Sequence, residues 1–266
     1  MDKRIEGYTG LAHAARKVSR AQKHFRELQE QTDEFKKGEP FKVILEAGEI
    51  EPEELVGIVR QQKPLPEDTS VIVGDVLHNL RSAFDNLACQ LVLENGKQVR
   101  RGPAGTSFPM FETEKEFDQN GPKRTEGMSP RAIEIVRSFQ QFRTGSDTLT
   151  KLHALNIEDK HGLSILPAVS IARIEFPEQS QRDQLNTLGI LNRRALYLPL
   201  RDGTRLFWMK PSEGKFQDDI KIRPLPQIEL IFLQPEIVRG NPILDLLTDS
   251  IAAANYALNK FAPILV

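Results

Sequence analysis

Side chains that could move a proton or hold an anion lie close together in one segment, GDVLHNLRSAFDNLACQLVL, at residues 74–93. On a helix with about 3.6 residues per turn, His78 and Asp85 share one polar face and Arg81 lies at its border. That face contains no Lys and no Glu, which normally fill a solvated helix surface, and it carries Ser, Asn and Asp, which favour caps and turns. The pattern predicts a polar face that looks toward another part of the molecule.

A second group of ionisable residues follows far downstream, in the sequence NIEDKH at residues 156–161. Three leucines define the apolar face of the helix predicted there: Leu149, Leu152 and Leu155. Asn156 and Asp159 fall inside this face, and Lys160 lies on its edge together with His153. Because a carboxylate buried alone costs several kcal/mol, we expect Asp159 to be paired with Arg81, with His78 or with Lys160.

Basic residues dominate the first half of the first predicted helix, where no acidic residue occurs between Thr9 and Arg26. Its basic side chains are Arg16, Lys17, Arg20, Lys23 and Arg26. Cations near a helix N-terminus oppose the helix dipole, so helix stability alone does not explain this order. We interpret Arg16, Lys17, Arg20 and Lys23 as contacts to RNA or another phosphate-bearing ligand. The alternative is a solvated face that pairs with the protein's own acids.

Hydrophobic periodicity places helices at residues 9–37, 68–94, 129–161 and 241–262, and strands within 41–62 and 163–233. The loop at 97–111 is too long for a passive connection, which favours a functional role or mobility. We expect an α+β fold in which a helical bundle packs beside one antiparallel sheet. We expect one integrated domain over residues 1–266, because the hairpin at 41–62 needs further strands to complete its sheet. The alternative is a separate β domain at 163–235.

The composition excludes several classes of protein. A net charge of −1 argues against a strongly basic nucleic-acid binder overall, and the single Cys excludes an intrachain disulfide or a Cys-based metal cluster within one chain. No apolar run reaches the roughly 18 residues that span a bilayer, and the first residues lack the apolar core of a signal peptide. We therefore expect a cytoplasmic protein with no membrane partner. Cys89, in the middle of a predicted helix, is interpreted as an inert thiol.

A di-metal helical bundle is an open alternative, because a carboxylate and a His lie three residues apart in two places. The pairs are Asp75 with His78 and Glu158 with His161. In di-metal bundles, two helices each supply such a pair and two others supply one Glu each. Glu27, Glu30, Asp245 or Asp249 could complete the ligand set. The preferred interpretation has no metal and no cofactor, and no phosphate loop or dinucleotide fingerprint is present.

GDVLHNLRSAFDNLA, followed downstream by NIEDKH, resembles a family of uncharacterised bacterial and phage-associated proteins over residues 10–165. The family pattern resembles G-D-x-L-H-N-L-R-S-A-L-D-H-L-A with a later D-K-H-R, and it implies no activity. The matching residues are Asp75, His78, Asn79, Arg81, Ser82, Asp85, Asp159, Lys160 and His161. The R-S-A-L-D-H core is similar to the Arg-to-His motif of HEPN ribonucleases, helical bundles that act on RNA across a dimer. Here Asn86 stands at the His position and cannot serve as a general acid or base.

Three hypotheses of function remain open. In the preferred one, a HEPN-like module acts on RNA or another phosphate-bearing ligand, with a homodimer as the implied assembly. Its candidate catalytic residues are His78, Arg81, Asp85, Asp159, Lys160 and His161. The two cations would hold phosphate, the two histidines would move protons, and the two aspartates would orient them. The alternatives are a non-catalytic binding or assembly protein with a structural polar network, and the di-metal bundle.

Overall fold

The computed structural model describes residues 10–49, 54–102, 105–160, 165–175, 179, 189–191, 199–210 and 224–265. Within these ranges the chain forms seven helices and two small antiparallel sheets, which confirms the α+β class. The helices are α1 (Gly10–Lys37), α2 (Thr69–Glu94), α3 (Glu114–Thr125), α4 (Pro130–Ser138), α5 (Gln141–Thr144), α6 (Thr148–Lys160) and α7 (Ile243–Phe261). The strands are β1 (Phe41–Ala47), β2 (Leu55–Gln61), β3 (Pro167–Glu175), β4 (Gly189–Leu191), β5 (Arg205–Met209) and β6 (Leu225–Phe232).

Helix α2 is the central helix, and α1, α6 and α7 all pack against it. The orientation of α1 follows from two sets of contacts. Gln31 donates to Asp68 at 2.6 Å and accepts from the Thr69 hydroxyl at 3.0 Å, while His24 lies 4.0 Å from Asp75. Residue numbers therefore fall along α1 as they rise along α2, so the two helices are antiparallel.

The strands form two sheets, and the expectation of a single sheet is wrong. One sheet has the order β1-β2-β5-β4, and the other pairs β3 with β6. The chain that follows β6 folds back and hydrogen-bonds to the end of that strand. A further strand therefore cannot pair with the end of β6. Phe232 donates its N–H to Asn241 O at 3.1 Å and accepts from Gly240 N at 2.8 Å, on the edge away from β3.

Most predicted elements have the expected bounds, and the largest difference is α3. The sequence analysis leaves residues 114–125 without a helix, whereas the structure has one there that begins with a capping box between Thr113 and Glu116. Two strands lie where the sequence predicts them within residues 163–233. β3 corresponds to the apolar run at 163–176, and β6 overlaps the run at 227–233. The strand expected at 194–200 and the end of the helix expected near His161 and Gly162 lie largely outside the described residues.

Phe108 joins the long loop at 97–111 to the helical core. Its ring is fully buried, 5.0 Å from Phe84, 6.0 Å from Phe139 and 6.2 Å from Phe261 between ring centroids. The buried residues of the helices and of both sheets belong to one contiguous apolar cluster. One integrated domain stays a prediction. Among the described helices, none is both long enough and apolar enough to cross a membrane.

Candidate functional site

Helix α6 runs antiparallel to α2 and approaches it closely at a glycine. A Cβ atom on Gly74 would lie 2.7 Å from Asp159 Oδ1, so a side chain at this position would displace the Asp159 carboxylate. Arg81 lies about two turns beyond Gly74 on α2. Its charge acts on His153, which lies six residues before Asp159 on α6. Asp159 and Arg81, two of the predicted site residues, therefore both lie near residues of the facing helix at the α2–α6 junction.

Arg81 and Asp85 attach the long loop to α2. The Arg81 side chain is buried, with the residue 5% exposed, and its Nη2 donates to Asp85 Oδ1 and to Phe108 O, each at 2.8 Å. The same Asp85 oxygen accepts from Phe108 N at 3.0 Å. Burial lowers the pKa of Arg81, and the charge of Asp85 opposes that change. The two side chains thus satisfy both backbone groups of a loop residue whose ring lies in the core.

Three buried polar atoms at this junction have no hydrogen-bond partner among the described residues. They are Arg81 Nη1, His153 Nδ1 and Asn156 Oδ1. Buried polar atoms are nearly always bonded, so unpaired atoms on two facing helices call for an explanation. His153 and Asn156 are three residues apart on α6 and therefore lie on the same side of that helix.

The charge around His153 is positive. Burial is the main cause that lowers the pKa of His153 from 6.5 to about 4, and the charges of Arg81, Arg124 and Lys160 lower it further. Of these cations, Arg81 is paired with Asp85. Lys160 is exposed and forms no ion pair within the part of the chain that the structure describes. At neutral pH His153 is therefore an uncharged base among cations.

The polar face of α2 is only partly turned inward. His78 and Asp75 are exposed, and His24 lies between Glu27, at 3.3 Å, and Asp75, at 4.0 Å. Asn79 is buried and donates to Asp75 O of its own helix at 2.8 Å. The expectation that the whole face looks toward other parts of the molecule is wrong for Asp75 and His78, because they lie on the open strip between α1 and α6.

Half-buried residues continue this strip toward the end of α2: Ser82, Asp85, Asn86 and Cys89. Burial raises the pKa of Cys89, and the charge of Asp85 raises it further. The thiol is therefore protonated at neutral pH, which agrees with its interpretation as inert.

The basic half of α1 lies along the other side of this strip. In antiparallel helices that rise about 1.5 Å per residue, the step from His24 back to Lys17 matches the step from Asp75 to Ser82. Arg16, Arg20 and Lys23 are exposed and Lys17 is half-buried. The predicted ligand contacts of α1 thus flank the same part of α2 that carries the predicted site.

Two clefts elsewhere on the surface include none of the predicted site residues. One, of about 270 Å³, lies between α1 and α7 and is lined by Gln22, Phe25, Arg26, Thr248 and Ile251. The other, of about 170 Å³, lies between the start of β1 and β6. The polar junction of α2 and α6 is a closely packed contact.

No group of three or more His, Cys, Asp and Glu residues among the described residues is arranged to hold a metal ion. His161 lies outside the described residues, so the Glu158–His161 pair and the proton-carrying role of His161 stay predictions. His153 is not among the candidate catalytic residues predicted from the sequence. His153 lies seven residues before Lys160, on the same edge of the helix. That shared edge is the pattern that could have identified it.

No protein-family model, no curated protein and no solved structure matches this chain.

Proposed function

We propose that the junction of α2, α3 and α6 binds a phosphate group presented by RNA or by a nucleotide. The observation that carries this proposal is the buried guanidinium of Arg81, whose Nη1 has no partner among the described residues and whose charge acts on His153 together with those of Arg124 and Lys160. Asp85 pairs with Arg81, and the charges of Arg124 and Lys160 act on His153 together with that of Arg81. A phosphate would offset this charge and accept a hydrogen bond from Arg81.

Each residue of the proposed site has a distinct role. Arg81 supplies a fixed, partly dehydrated donor, and Lys160 supplies a point charge at the exposed rim. Asp85 orients Arg81 through their 2.8 Å hydrogen bond, and Asp159 lies against Gly74 one turn from His78. His153 is uncharged at neutral pH and can accept a proton, so with His78 it forms the acid–base half of the proposed site.

This arrangement bears on the proposed HEPN-like chemistry. In the similar ribonuclease motif the Arg and the His come from one helix, and here Asn86 replaces the His. His153 reaches the neighbourhood of Arg81 from α6. Cleavage of RNA at this junction is therefore proposed with Arg81 and His153 as the pair, and a homodimer is part of the same proposal.

The exposed cations of α1 favour RNA over a lone nucleotide. Arg16, Lys17, Arg20 and Lys23 lie beside residues 74–86 of α2, so a chain of phosphates bound at Arg81 could continue along them. Contacts of this kind bind the backbone of a nucleic acid without regard to sequence, and they weaken as salt rises.

The test compares two lysines of the same helix. We expect Lys160→Ala to weaken the binding of a nucleoside monophosphate and of a short RNA about three- to tenfold, or up to about 1.4 kcal/mol. Lys151→Ala is the control, because Lys151 is already paired with Asp147 at 2.9 Å. Titration calorimetry measures both affinities. Binding that is equal in both variants, or absent from the unmodified protein, contradicts the proposal.

The same protein samples test for turnover. We expect His153→Gln to bind RNA but to lose any cleavage that the unmodified protein shows, and Lys151→Ala to keep it. A comparison of a short RNA with a nucleoside monophosphate separates the two sources of phosphate, because only RNA reaches the cations of α1.

A second candidate function is a non-catalytic protein in which this network is structural. The observation that favours it is the closed set of hydrogen bonds from Arg81 and Asp85 to both backbone groups of Phe108. It predicts that Asp85→Asn lowers stability while no phosphate ligand binds to the unmodified protein at any concentration tested. Sedimentation of the same samples determines whether the chain forms the proposed homodimer.

A further inference from the structure

We infer that His153 takes up a proton when an anion enters the junction and then donates a second hydrogen bond to it, so that anion binding and proton uptake are linked. This inference rests on the proposed phosphate site and names how pH would control it. It assigns a role to a residue outside the set predicted from the sequence.

The geometry supplies the first argument. His153 Nδ1 is buried and has no hydrogen-bond partner among the described residues, as does Arg81 Nη1, whose charge acts on it. Asn156 Oδ1, three residues further along α6, is the third such atom. An anion between Arg81 and His153 would accept from both, provided that the imidazole carries the proton on Nδ1.

The surrounding charges supply the second argument. The charged groups that act on His153 come from three elements and are all cations: Arg81 from α2, Arg124 from α3 and Lys160 from its own helix. Asp85 lies beyond Arg81 and is bonded to it. Within the described residues, α5, α7 and the 3-10 turn Glu236–Val238, which also pack against α6, add no charge that shifts the pKa of His153. In the absence of a ligand the imidazole is therefore held neutral.

An anion reverses this balance. A negative charge beside the imidazole raises the pKa of His153. It also offsets the nearby cations, so they no longer lower that pKa. Linkage is reciprocal. A ligand that favours protonation of His153 therefore binds more tightly at lower pH, where His153 is more readily protonated. Affinity for the anion should thus increase as the pH falls from about 7 toward about 5.

Sulfate is the appropriate probe, because its charge stays the same over this range, whereas that of a phosphate monoester does not. We expect the unmodified protein to bind sulfate at least tenfold more tightly at about pH 5 than at about pH 7. Calorimetry in buffers of different ionisation enthalpy should show proton uptake on binding. His153→Gln should still bind sulfate, with an affinity that no longer depends on pH.

His13→Gln is the matched control, because it removes an exposed histidine of α1 and should keep the pH dependence of the unmodified protein. Sulfate affinity that is equal at the two pH values, or pH dependence that persists in His153→Gln, overturns this inference and leaves the phosphate site standing. If neither sulfate nor inorganic phosphate binds to the unmodified protein, the proposed function itself fails and the inference fails with it.

Discussion

Two arginines of this protein, Arg81 and Arg137, are both held by carboxylates but lie in opposite surroundings. Arg137, on α4, bonds Asp118 at 2.8 Å and Glu114 at 2.5 Å, and its guanidinium lies 5.1 Å from the centre of the Phe117 ring. Arg81, on α2, has one carboxylate, one backbone carbonyl and one nitrogen without a partner among the described residues. The first guanidinium is fully compensated at the surface, and the second is incompletely compensated in the interior.

The difference separates a structural ion pair from a candidate site. Water screens the charges around Arg137, so neither gain nor loss of a partner there should matter much. Around Arg81 the surroundings are less polar, and the charges of Arg124 and Lys160 reach the same histidine. Position in the fold therefore decides which Arg can act on a ligand.

The largest expected effect is on the free energy of unfolding of Asp85→Ala. This change leaves the buried Arg81 without its carboxylate and the Phe108 N–H without its acceptor, so we expect a loss of about 3 kcal/mol. Asp118→Ala, which removes an exposed carboxylate from the half-buried Arg137, is the control and should have a small effect. Urea unfolding measures both. Equal losses would end the distinction between the two arginines.

The next effect is a dependence of stability on pH that comes from His153. The unfolded chain binds this proton at about pH 6.5 and the folded chain at about pH 4, so the unfolded state holds more protons between those values. Stability therefore decreases as the pH falls through that range, by about 2 kcal/mol relative to His153→Gln. Unfolding curves of both proteins at several pH values measure it, and parallel pH profiles would contradict the burial of a neutral imidazole.

A smaller effect concerns the close approach of α6 to α2. Gly74→Ala gains helix propensity but places a methyl group against Asp159 Oδ1. We expect the substitution to be more favourable by about 1 kcal/mol when Asp159 is also Ala than when it is not. A double-mutant cycle measures this coupling. A coupling energy of zero would mean that Asp159 moves away from the methyl group at no cost. The position of Asp159 beside α2 would then place no constraint on the residue at position 74.

The smallest effect, about 1 kcal/mol or less, belongs to the region of Arg137. Thr113→Ala removes the side-chain oxygen that accepts from Glu116 N at 3.3 Å at the start of α3. Glu114, in the same turn, pairs with Arg137. The substitution therefore tests whether the helix cap contributes more to stability here than the ion pairs do. Ser19→Ala, at an exposed position within α1, is the control. A melting temperature equal to that of the control would contradict a role for the capping box.

Periodicity and end residues predict most helices well, and the exception is instructive. α2 begins one residue after the predicted start and ends where Asn95 and Gly96 indicate. α3 was missed because Asn120, Gly121 and Pro122 interrupt its sequence, although the T-E-K-E capping box that starts it is visible. A local pattern that satisfies backbone N–H groups outweighed poor helix propensity there.

The candidate site was predictable only in part. Arg81 and Asp85 are both predicted from the polar segment at 74–93, whereas their hydrogen bond to each other is seen only in the structure, where Arg81 pairs with Asp85 and not with Asp159. The contribution of His153 depends on which edge of α6 meets α2, and this was not visible from the sequence. The exposure of His78 likewise depends on the gap between α1 and α6, two helices far apart in the chain.

The order of residues was enough to predict most of the helices, several strands, the α+β class and the polar segment of α2, because each depends on neighbours within a few turns. Whether a polar side chain faces water, a loop or a cation depends on packing between distant segments, and here the fold decided it. Packing buried Arg81 and left His78 exposed on the same helix, and it divided the strands between two sheets.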